Sequence, residues 1–135
     1  AIMESVMAPW LGHADGAKDP FYLATDHYRL FAHAERSLRL LDPLDDFSAD
    51  ALAERIGVSR RTLFNIFRNF LGLGPCRYLE VIRLHRLRTQ LLEAGPKRTT
   101  VSRLAYDIGF RQMSRMAATY HTHFGEYPHE TLRAN

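Results

Sequence analysis

The second half of the chain repeats the pattern of the first, and no other feature constrains the fold as strongly. Leu52, Ala53, Ile56 and Gly57 recur as Leu104, Ala105, Ile108 and Gly109, each displaced by 52 positions. Past that point the displacement becomes 53, so that Leu63, Phe67, Gly72 and Pro75 match Met116, Tyr120, Gly125 and Pro128. The second copy therefore carries one extra residue between its matched glycine and its next matched apolar residue. That is the place for a turn, where an insertion is tolerated. A duplicated structural unit is implied before any element is assigned.

Within each copy the apolar residues fall at three- and four-residue spacing, the period of an amphipathic helix, and no strand pattern competes. A first helix is expected over residues 25–41, with Leu30, Phe31, Ala34, Leu38 and Leu41 inward, stopped by Asp42-Pro43. Ser48 caps a short second helix with Ala49, Leu52, Ala53 and Ile56 inward, and Gly57 suits its C-terminal end. Ser59 caps a third, with Leu63, Phe67 and Phe70 inward and Gly72 closing it. Gly74-Pro75 opens the longest helix, which runs through Tyr78, Leu79, Ile82, Leu84, Leu87, Leu91 and Leu92 to Gly95-Pro96. Thr99 or Thr100 caps a fifth, with Val101, Leu104, Ala105 and Ile108 inward. A sixth covers residues 112–123 with Met113, Met116, Ala117 and Tyr120 inward, Phe124 covering its end, and Pro128 opens a short last one.

The expected fold is all-α, with about seven helices. Two helix-turn-helix subdomains, residues 25–74 and 96–135, are joined by one long linker helix over residues 75–95. Residues 1–24 contain Pro9, Gly12, Gly16 and Pro20 with no sustained period, and read as a linker or the remnant of an upstream domain. A short helix, a glycine-containing turn and a second helix form the arrangement that sets its second helix into the DNA major groove. The linker helix, at roughly 1.5 Å per residue, is about 30 Å long. That is close to one turn of B-DNA, about 34 Å, so two readers could enter successive major-groove segments. Their outward residues differ, which makes the expected site asymmetric.

Charge agrees with that placement. The net charge is only +3, yet residues 1–59 hold five Lys/Arg against ten Asp/Glu, residues 60–115 twelve against three, and residues 116–135 one against two. An arginine-dominated block spread over helices is the footprint of a nucleic-acid surface, or else a solvated basic face. The 46% apolar content suffices for a core. No apolar run approaches the roughly 20 residues that span a bilayer, and no signal-type N-terminus is present, which makes a cytoplasmic location the default and a membrane partner unexpected. A chain that begins with Ala1 reads as an excised or processed piece. Its single cysteine, Cys76, excludes an internal disulfide, a CxxC pair and a thiolate zinc site.

The stretches LAERIGVSRRTLFNIFRNFLGLGPCRYLEVIRL and LAYDIGFRQMSRMAATYHTHFGEYPHETLR carry a closer likeness. Over about residues 30–133 the chain resembles the AraC/XylS family of transcription regulators, the second stretch matching that family's signature in Gly109-Phe110, Ser114, Phe124-Gly125 and Pro128. The resemblance implies two helix-turn-helix units on one long helix, binding of double-stranded DNA, no cofactor, and a separate effector-binding or dimerisation domain upstream. One departure concerns readout. The family commonly places arginine two residues past the core leucine of each recognition helix, where this chain has Asn65 and Ala118.

With Leu63, Phe67 and Phe70 inward, the outward positions of the third helix are Arg60, Arg61, Phe64, Asn65 and Arg68. Arg61 and Asn65 suit base edges, Asn65 by a bidentate contact to adenine; Arg60, Thr62 and Arg68 suit phosphates. Phe64 meets a thymine methyl or completes the core. In the sixth helix Gln112, Ser114, Arg115 and Ala118 hold the base-facing positions, with Arg111 and Thr119 toward phosphate. Arg115 can grip guanine in a fork and Ala118 can touch a thymine methyl, whereas Ser114 either reads a base or caps the helix. Thr62 and the caps at Ser48 and Thr100 serve phosphates or only the helices they start. Arg83, Arg86 and Arg88 on the linker helix contact phosphate or, preferably, pair with acidic residues of the flanking units.

Two other function classes fit less well. Some DNA-alkylation-response proteins join such a module to a cysteine methyl acceptor, but Cys76 has no zinc-cysteine cluster to lower its pKa, and beside a proline in a helix's first turn it reads as a packing residue. No phosphate loop or triad-like serine motif marks an enzyme. The other class is a helical interaction module whose basic face meets an acidic partner such as an RNA polymerase subunit. Seven histidines raise a metal reading, yet there is no HExxH, and His121 and His123 stand on different faces of their helix.

Overall fold

A computed structural model describes residues 20–134 of the chain, and side chains from residue 25 onward. Among these residues there are seven helices and no strand: α1 (Pro20–Arg39), α2 (Ala49–Ile56), α3 (Arg60–Leu71), α4 (Pro75–Glu93), α5 (Val101–Ile108), α6 (Met113–Phe124) and α7 (Pro128–Arg133). Most of the expected linker, residues 1–19, lies outside the described residues. The helix expected from residue 25 begins at Pro20 instead, because a proline at a first helical position loses no hydrogen bond that the helix needs.

The described residues divide into two compact units, one of residues 20–41 and 47–78, the other of residues 42–46 and 79–134. In the first, α1 packs on α2 and α3. Its core is Phe31, Ala34 and Leu38 of α1, Ala49, Leu52, Ala53 and Ile56 of α2, and Leu63, Ile66 and Phe67 of α3. Ile66, absent from the expected inward set, is fully buried, while Phe70 is half-buried. Phe70 still contributes, stacked on Phe31 at a centroid distance of 5.1 Å and edge-on to Tyr28 at 6.0 Å.

In the second unit one cluster joins Leu84, Leu87 and Leu91 of α4 to Ala105 and Ile108 of α5, Met116 and Tyr120 of α6, and Leu132 of α7. Val101, Leu104, Met113 and Phe124 are only partly buried around it. Leu92, which follows the inward Leu91, points outward and is 48% exposed. Leu84, Leu87 and Leu91 form one stripe of α4, and Leu92, about 100° further around the helix, falls outside it. Cys76 is an exposed free thiol rather than a packing residue. No helix among the described residues is long and apolar enough to cross a membrane.

The caps explain why the breaks fall where they do. The Ser48, Ser59 and Thr100 hydroxyls each accept from a backbone amide at the start of α2, α3 and α5, at 3.2, 3.1 and 3.2 Å, so Thr100 rather than Thr99 is the cap. At the other ends of α2 and α5, Gly57 and Gly109 turn the chain with φ of +81° and +125°. α6 differs. Its cap is Gln112, which makes no side-chain capping bond, and Ser114 lies inside the first turn instead of capping it.

Candidate nucleic-acid interface

The two helix-turn-helix units present their second helices, α3 and α6, with the same division of faces. In α3, Leu63, Ile66 and Phe67 are buried, whereas Arg60, Arg61, Asn65 and Arg68 are exposed. In α6, Met116 and Tyr120 are buried, whereas Ser114, Arg115 and Ala118 are exposed, as is Gln112 at the cap. Each set of exposed residues is a strip along one helix, polar but for Ala118. Arg61 and Arg115 make no side-chain hydrogen bond or ion pair among the described residues, so their guanidinium donors remain open to an incoming acceptor.

Other members of the expected set have partners that shape what they can offer. Arg60 pairs with Asp50 of α2 at 3.3 Å and lies over the Phe64 ring, 5.1 Å from its centroid. Phe64 is half-buried against Gly74, where an added Cβ would meet its ring at 3.2 Å. Phe64 thus serves packing as well as the rim of the face. The Ser59 hydroxyl accepts from the Thr62 amide and donates to the Thr62 hydroxyl at 2.9 Å. That leaves the Thr62 hydroxyl proton free to donate outward.

Two residues expected at the DNA backbone are engaged inside the second unit. Thr119 is half-buried and donates its hydroxyl proton to the Arg115 carbonyl at 2.9 Å. Its counterpart in the first copy is the buried Ile66, which explains the inward placement. Arg111, the inserted residue of the second turn, donates to the carbonyls of Tyr106, Phe110 and Pro43 at 3.0, 3.2 and 3.0 Å. Its guanidinium also lies 4.4 Å from the Tyr106 ring centroid. These bonds leave Arg111 a fastener of the turn, with its positive charge still at the surface.

On α4, Arg88 pairs with Glu126 at 3.8 Å and lies over Phe124 at 4.8 Å, a structural role. Arg83 packs its guanidinium where a Cβ on Gly109 would stand, 3.0 Å away. Burial, with the neighbouring charges of Arg111 and Arg86, pulls its pKa below the ordinary arginine value. His121 stacks on Tyr127 at 4.2 Å while His123 meets His85, so the two histidines do occupy different faces. The meeting of His85 with His123, across 38 positions, leaves no signal in the sequence.

The sequence profile of a family described as helix-turn-helix domain matches residues 52–134. The solved structure of an AraC family transcriptional regulator from Rhodopseudomonas palustris superposes with a TM-score of 0.69 at 27% identity, over 77% of this chain and 94% of that one. The chain belongs to the AraC/XylS family. An AraC-type regulator structure from Chromobacterium violaceum gives a TM-score of 0.70 at 26% identity, covering 80% of this chain and 93% of that chain. A "probable thc operon regulatory protein" of Rhodococcus erythropolis is 37% identical over 111 residues, 82% of this AraC/XylS domain and 30% of that protein. The XylDLEGF operon transcriptional activator of Pseudomonas putida is 33% identical over 88 residues, 65% of this domain and 27% of the activator. This AraC/XylS domain thus spans less than a third of either relative's length. The family is one of DNA-binding domains of transcription regulators, not of enzymes.

Proposed function

We propose that the domain reads one asymmetric site on double-stranded DNA, with α3 and α6 in successive major-groove segments. The observation that carries this reading is the division of faces repeated in α3 and α6, polar and open on one side and buried on the other. Arg61, Asn65, Gln112, Ser114, Arg115 and Ala118 face bases. Arg60, Thr62 and Arg68 face phosphates, and Arg111 adds charge at the turn. The 19 residues of α4 make a helix about 28 Å long, near one turn of B-DNA. The remaining length of a full protein of the relatives' size would hold an effector-binding or dimerisation domain, and contact with RNA polymerase would belong to the same assembly.

Fluorescence anisotropy with a random-sequence duplex pool, titrated with salt and followed by selection, tests the reading. Support is a log-log salt slope of several units, near −0.9 per phosphate contacted, and two different motifs about one helical turn apart. Binding without an enriched motif would reduce the domain to a non-specific basic surface.

A further inference from the structure

His85 of α4 and His123 in the last turn of α6 are both exposed, and their Nε2 atoms stand 3.2 Å apart. The ring centroids are 5.1 Å apart and the planes nearly perpendicular, at 87°. We propose that this pair is a two-histidine site for a divalent transition metal ion, with Zn²⁺ the ion it fits best.

The distances make the case. Around tetrahedral zinc, with Zn–N of about 2.0–2.1 Å, two ligating nitrogens are about 3.3–3.4 Å apart. The observed separation needs an adjustment of only about 0.1–0.2 Å to become one edge of that tetrahedron. Ring orientation is a second check. Two imidazoles aimed at one tetrahedral zinc have centroids about 5.2 Å apart, whereas a straight N–H···N bond of the same length would hold them about 5.5 Å apart. The observed 5.1 Å puts the rings on the bent, convergent side. A square-planar edge, about 2.8 Å, would need a larger closure, which disfavours Cu²⁺.

The surroundings hold the rings in place. Phe124 meets both edge-on, His85 at 5.2 Å and His123 at 4.7 Å, which restricts the freedom that binding would otherwise have to remove. The nearby cation, Arg88, lies over Phe124 and is offset by Glu126 at 3.8 Å. No group of three or more His, Cys, Asp or Glu ligands occurs among the described residues. Water or a solute anion therefore completes the shell, and affinity falls short of a closed structural site. Ligation needs both Nε2 atoms bare. The proton shared between them moves to Nδ1 of the donor ring, with no net release. The bound ion would clamp α6 to α4 inside the second unit.

The test is thermal unfolding of the 135-residue chain, stripped with EDTA and titrated with ZnCl₂. Tm should rise by roughly 3–6 °C at millimolar Zn²⁺. His85→Gln and His123→Gln should each abolish the rise, and Cys76→Ser and His129→Gln should retain it. A wild-type Tm indifferent to Zn²⁺, or a rise that survives either of the first two substitutions, overturns the site. Co²⁺ added to the wild-type protein gives a reading that needs no variant: the Cε1–H signals of His85 and His123 should broaden before those of the other histidines. Preferential broadening elsewhere also overturns the proposal.

Discussion

The Tyr120 phenol and the Thr131 hydroxyl meet at 2.7 Å inside the second unit, and their donor is determined by a third residue. Thr131 gives its only hydroxyl proton to the Glu126 carboxylate, so the phenol must donate to Thr131. Glu126 in turn faces Arg88. Tyr120, Thr131, Glu126 and Arg88 thus link α6, α7, the turn between them and α4 by polar contacts beside an apolar core. Tyr120→Phe leaves the buried Thr131 oxygen with an unused acceptor and should cost about 1 kcal/mol. Thr131→Val leaves the phenol proton without a partner and should cost about 2 kcal/mol. Urea unfolding of both variants measures the order of the two effects.

Gly57 and Gly109 occupy matched positions but should not tolerate alanine equally. Both have positive φ, so alanine pays a backbone penalty at either, on the order of 1 kcal/mol. Nothing stands within 4 Å of a Cβ at Gly57, whereas at Gly109 the Arg83 guanidinium is 3.0 Å away and must move. Gly109→Ala should therefore lower Tm more than Gly57→Ala, as differential scanning calorimetry would show.

Arg61→Glu and Arg115→Glu should each weaken binding to the selected duplex by at least about tenfold at low salt, with the helical circular-dichroism spectrum unchanged. Both side chains are exposed, so the fold has little stake in them. Retained DNA affinity with loss of a protein partner would reassign this face.

Asn65→Ala and Arg68→Ala should separate readout from attraction. The first should relax the preference at one base pair by roughly 1–3 kcal/mol and leave the salt slope alone. The second should reduce the slope by about one unit and leave the selected motif alone. Competition anisotropy at several salt concentrations distinguishes them.

The helices were legible because their punctuation is local. Ser48, Ser59 and Thr100 cap, and Gly57, Gly72, Gly109 and Gly125 turn the chain with positive φ. Period alone was less informative about depth. It admitted Leu92 beside Leu91, although Leu92 falls outside the stripe of Leu84, Leu87 and Leu91, and it passed over Ile66, which completes the i, i+3, i+4 set with Leu63 and Phe67. The exposed polar strips of α3 and α6 followed from the same period. Contacts made far along the chain left no such trace. Neither the Arg111 bond to Pro43, 68 positions away, nor the pairing of His85 with His123 could be drawn from spacing.

The Arg111 bond has a consequence for anyone who would take the molecule apart. The second unit is not one continuous stretch of chain, since residues 42–46 group with it and Pro43 supplies an acceptor to Arg111. A fragment cut at the start of α4 would carry every residue of the second copy and still lack that acceptor. The boundary visible in the duplication and the boundary drawn by the contacts differ, so the seam between the copies is the wrong place for the scissors.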